Sequence, residues 1–80
     1  MIYAAVLFCS MNACAGYPDT ASPYDTEADC RAAHEQRRAM MQLVAQRMGA
    51  RTFREICAPI EDVRRLIPGA FPGVPEGVLL

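Results

Sequence analysis

The chain has 80 residues, a formal charge of −1 and four cysteines. A domain of this size buries only about 60% of its unfolded surface, and its core rarely contributes more than ~3–5 kcal/mol, so covalent staples or a partner are expected. The near-neutral charge excludes the strongly basic footprint that nucleic acid or an anionic membrane surface requires.

Residues 2–9 (IYAAVLFC) form a continuous apolar run rich in β-branched and aromatic types. This predicts a strand buried on both faces. The longer stretch MIYAAVLFCSMNACAG also has the apolar middle and small-residue exit of an export signal. No Lys or Arg precedes Arg31, however, and Phe8 stands where a lipoprotein site needs a small residue. We therefore expect mature sequence here. The run is too short to span a bilayer. Residues 10–13 break the strand, with Asn12 suited to a turn, and residues 15–17 are expected to pair back as a short second strand. Residues 18–25 follow as a polar loop with two prolines.

Thr26 opens a long helix as N-cap, with Asp29 positioned to answer it and Glu27 and Asp29 favouring the positive end of the helix dipole. Glu27 and Arg31 are ordered for an i,i+4 ion pair. The helix is expected to run to Met48, with Gly49 ending it. Its predicted buried stripe is Cys30, Ala33, Met40, Met41, Val44 and Met48, with Arg37 snorkelling at the edge. Residues 52–57 (TFREIC) read as a further strand. Residues 59–67 read as a short helix with Pro in its first turn, early acids and late bases. From Pro68 the chain is too rich in Pro and Gly for regular structure. The expected fold is thus α+β: one long helix on a two- to three-stranded sheet of βαβ type, stapled by disulfides (residues 1–67), with an extended C-terminal arm (68–80).

A crossover helix between the two outer elements predicts adjacent parallel strands, which would gather all four cysteines at one end. Four cysteines allow three pairings. The preferred one joins Cys14 to Cys30 and Cys9 to Cys57, closing loops worth roughly 3 and roughly 4 kcal/mol in the chain-entropy model. A zinc site using all four is disfavoured, because only Cys9 and Cys14 are close neighbours and structural zinc usually takes two close pairs. No Cys-x-x-Cys redox motif is present. His34, the only histidine, lies among Glu35, Arg37 and Arg38 and is expected on a solvated helix face. Cys30 and His34 can meet at i,i+4, but no third group completes a nucleophilic constellation. The acidic residues before the helix have no calcium-loop spacing, and phosphate-binding glycine loops are absent.

All eight basic residues are Arg, a bias that GC-rich coding produces and that no predicted site demands. Phe71, Val74, Val78, Leu79 and Leu80 are apolar residues in a segment that cannot build its own core. They are expected to dock on a partner as an extended arm.

The stretch FCSMNAC, then YDTEADCRAA opening a helix, then FREIC resembles small uncharacterised proteins of alphaproteobacteria and their phages, over residues 2–57. That resemblance implies a phage or phage-derived accessory protein and no catalytic residues. The expected function is non-enzymatic: a minor virion, decoration or adaptor component contacting other protein subunits, without cofactor, nucleic acid or membrane, and compatible with oligomer formation. The alternative is a small secreted or periplasmic binding protein or inhibitor. Both place the chain in an oxidising setting.

Overall fold

The computed structural model describes residues 1–74. Its elements in chain order are β1 (Tyr3–Cys9), β2 (Cys14–Pro18), α1 (Glu27–Met48), β3 (Thr52–Ala58) and α2 (Ile60–Leu66). The three strands form one antiparallel sheet in the order β2-β1-β3. The predicted α+β class therefore holds, with the third strand present.

β1 occupies the centre because its apolar run serves both faces. Tyr3, Ala5 and Leu7 face one way and meet Ile56, Val63, Ile67 and Ala70. Val6 and Phe8 face the other and meet Met41, Val44, Ala45 and Phe53. The sheet is thus sandwiched between α1 on one face and α2 with the following segment on the other. This accounts for a strand without polar alternation in an antiparallel sheet, where one wet face is commoner.

The expected parallel pairing of β1 and β3 is overturned. β2 is a full strand paired to β1 from Cys9↔Cys14 to Ala5↔Pro18, so it carries the chain back to where β1 began. Ile2 and Tyr24 exchange backbone hydrogen bonds there, at 2.9 and 2.7 Å. The helix then starts at that end and returns along the sheet. β3 consequently runs opposite to β1, in a register from Tyr3↔Ala58 to Cys9↔Thr52.

The helix boundaries follow the capping residues. The Thr26 hydroxyl accepts from the Asp29 N–H at 3.1 Å. Gly49 ends the helix at φ 71°, left-handed backbone that favours glycine. The inward face differs from the expected stripe. Cys30, His34 and Ala45 are buried, Ala33, Met41 and Val44 partly so, and Met40 and Met48 are exposed. The face touching the sheet passes through Cys30, His34, Arg37, Met41 and Ala45, at helical spacing. Counting apolar residues alone skips two of these five, because one is a histidine and one an arginine.

Gly16 in β2 marks a close approach. A Cβ there would lie within 3.0 Å of the Cγ1, Cδ1 and Cγ2 atoms of Ile67. Because a β-branched side chain is stiff at χ1, Ile67 cannot swing clear. Gly16→Ala should therefore destabilise the domain by about 1–3 kcal/mol, measured by urea denaturation. An Ile67→Ala change in the same background, which removes all three of those atoms, should make the added Cβ of Gly16→Ala nearly neutral.

Candidate functional site

Two disulfides are formed, Cys9–Cys14 and Cys30–Cys57. The expected partners were Cys14 with Cys30 and Cys9 with Cys57, and this pairing is corrected by the topology. Cys9 and Cys14 sit opposite each other where the hairpin turns. Cys57 pairs in register with Ala4, at the other end of β1. Five residues of strand, about 17 Å, separate the two positions along β1. The four cysteines therefore make two separate centres, and no four-cysteine metal site can form.

The hairpin disulfide lies at the surface, with Cys14 exposed and Cys9 half-buried. The second is internal. Cys30 is fully buried and Cys57 half-buried. Residues Phe53, Glu55 and Cys57 alternate onto the face of β3 that α1 covers, so Cys57 meets the first turn of the helix.

His34 belongs to this second centre. It is buried to 6% exposure, contrary to the expected solvated position. Its Nε2–H donates to the Ile56 carbonyl at 3.0 Å, and the Cys30 sulfur stands 3.8 Å from the same oxygen. A ring nitrogen of His34 and the sulfurs of Cys30 and Cys57 all lie within 4.8 Å of one another. Beside them opens a cavity of about 300 Å³ lined by Glu27, Arg31, Glu35, Arg38 and Glu55.

Charges around this cavity are paired across α1 and β3. Arg38 forks onto Glu55, with Nε at 3.0 Å and a terminal nitrogen at 2.6 Å. This bond to Arg38 outweighs the partial burial of Glu55 and holds its carboxyl below the ordinary range. Glu27 and Arg31 form the expected i,i+4 pair. Sequence reasoning detected the Cys30–His34 spacing and placed Cys57 at the same end of the domain, but it expected Cys30 to pair with Cys14 and His34 to lie in solvent.

The C-terminal residues divide. Phe71 and Val74, expected on a partner, pack on the chain's own core. The Phe71 ring lies 4.9 Å from that of Tyr3, centroid to centroid. Arg64 fastens this segment through three carbonyls: Ala70 at 2.9 Å, Phe71 at 2.8 Å and Val74 at 2.5 Å. The anchorage also holds Phe71 at φ 56°, a left-handed conformation unusual for a bulky side chain. Val78, Leu79 and Leu80 lie outside the described residues. The arm expected from Pro68 is therefore part of the folded domain at least to Val74.

The fork at Arg64 is geometry that lysine cannot reproduce. Arg64→Lys should weaken the anchor and expose Phe71 and Val74, and the amides of residues 70–74 should exchange faster while those of β1 keep their protection. Uniform exchange rates across both segments would show that Arg64 does not hold the segment down.

Exposed apolar side chains include Met11 at 73%, Met40 at 58% and Leu43 at 57%. Among the described residues, no helix is long and apolar enough to cross a membrane. The two disulfides are compatible with an oxidising environment. Comparisons with protein-family models, with curated proteins and with solved structures return no match to this chain.

Proposed function

We propose that this chain is a non-enzymatic interaction module, built for durability in an oxidising setting and contacting other protein subunits through the apolar residues Val78, Leu79 and Leu80. The observation that carries this reading is the pair of disulfides, one at each end of β1. Together they fasten a domain whose own core is small. The anchoring of residues 70–74 by Arg64 supports a fixed point of departure for the terminal residues. The resemblance over residues 2–57 supplies the setting, a minor virion, decoration or adaptor component. The same disulfides suit a small secreted or periplasmic binding protein or inhibitor, since they would form during export.

A tagged chain produced in its own host during particle assembly should cosediment with particles, and a chain ending at Val74 should not. Equal cosedimentation of both chains would remove the terminal residues from the interface. Recovery of the full chain in the medium or periplasm, free of particles, would instead establish the secreted reading.

A further inference from the structure

The centre at Cys30, His34 and Cys57 has more chemistry than a structural disulfide uses. Two sulfurs and an imidazole from three positions converge within 4.8 Å. In a tetrahedral site with Zn–S near 2.3 Å and Zn–N near 2.0 Å, donors stand roughly 3.3–3.8 Å apart, so the convergence is close to that of a ligand set. The imidazole is also already anchored. Its Nε2 bonds to the Ile56 carbonyl, which fixes the ring beside both sulfurs. Metal-bound histidines are ordinarily held by such a backbone or carboxylate acceptor. The cavity lined by Glu27, Glu35 and Glu55 gives a fourth position access to water or a carboxylate.

We propose that the reduced chain binds one zinc-like divalent cation through Cys30, His34 and Cys57, so that the same two sulfurs hold a metal in a reducing compartment and a disulfide in an oxidising one. The proposal is independent of the docking function. Opening the disulfide takes two electrons and two protons from a dithiol reductant, which itself becomes a disulfide. The S–S bond breaks and two thiols form. Cation binding then displaces both thiol protons to solvent. Cys9 and Cys14 take no part, being at the far end of β1.

Zinc is the ion expected from two thiolates and one imidazole, and cobalt(II) is its spectroscopic probe. The fully reduced chain, titrated with cobalt(II) under anaerobic conditions, should take up one ion. It should develop the visible bands of tetrahedral cobalt and a thiolate charge-transfer band. His34→Ala, whose folding is checked in the oxidised form, should bind roughly tenfold more weakly or worse. Cys9→Ser/Cys14→Ser should bind as the parent does.

Alkylation of the reduced parent chain gives a test without any variant. Zinc should protect Cys30 and Cys57 from a maleimide while Cys9 and Cys14 react, with mass spectrometry of peptides assigning the label. Uniform labelling of all four cysteines in the presence of zinc would overturn the proposal. So would an octahedral cobalt spectrum, or cobalt binding that survives His34→Ala unchanged.

Discussion

Replacing Cys30 and Cys57 together with alanine should cost the domain roughly 3.5 kcal/mol. The bridge spans 27 residues, and closing a loop of that length in the unfolded chain gives this figure in the entropy model. The folded state adds to it, because Cys30 is, with Val63, among the largest fully buried side chains of the described residues. Much of the remaining core is alanine: Ala4, Ala5, Ala45 and Ala70. Such small side chains let α1 and α2 approach the sheet closely, but each removes little apolar area from water. A domain of this size melts about 4–8 °C lower per kcal/mol lost, so the double variant should melt about 14–28 °C below the parent in a thermal scan. The matching change at Cys9 and Cys14 removes a bridge that closes a span of only 5 residues. It should cost about 2 kcal/mol, across a hairpin that already pairs in register. Equal losses from the two double variants would show that loop closure does not govern the stability of this fold.

The contrast between the two bridges also shows where sequence reasoning stopped. Strand, helix and cap boundaries were legible because each rests on local chemistry: the apolar run of β1, Thr26 with Asp29, Gly49, and Pro59 before α2. The disulfide pairing was not. It depends on the direction of β3, and that depends on whether Cys14–Pro18 is a strand long enough to turn the chain around. CAGYP has one glycine, one proline and little β-branching, so its own composition says little. Its pairing is imposed by β1, which offers an edge, and by the Cys9–Cys14 bridge. The cluster at His34 was hidden on other grounds, since the histidine was expected on a solvated face and Cys30 was expected to pair with Cys14. Residues 70–74 differ from the expected extended arm on a different ground. Their Pro and Gly content does exclude regular structure. However, irregular backbone can still pack when a side chain satisfies its carbonyls, and Arg64 does so for three of them.

Asp19 should prove the most sensitive polar residue, and its effect should depend on pH. It follows β2 directly and closes the turn into α1, with its side chain only 11% exposed. Its carboxylate accepts from the Ala21 N–H at 2.9 Å and the Tyr24 hydroxyl at 2.9 Å, and it pairs with Arg37 of α1. Burial pushes the Asp19 carboxyl up. The bonds from Ala21, Tyr24 and Arg37 act against this and together hold it below its ordinary value. A carboxyl depressed in the folded state contributes stability above its unfolded pKa, near 4, and loses it as pH falls through the folded value. Glu55 is depressed as well, so both contributions should fade below about pH 4.

Asp19→Ala should cost about 2 kcal/mol at neutral pH, because it leaves the partly buried Tyr24 hydroxyl without its acceptor and Arg37 without its counter-charge. Asp19→Asn keeps the shape and removes the titration. It should therefore be less stable than the parent at pH 7, with the difference shrinking as both are unfolded by urea at pH 3. Adding Glu55→Gln should flatten the remaining acid dependence further. If the parent and Asp19→Asn instead lost stability in parallel from pH 6 to pH 3, the link between β2 and α1 would rest on packing of Tyr24 and Arg37 rather than on the charge at Asp19.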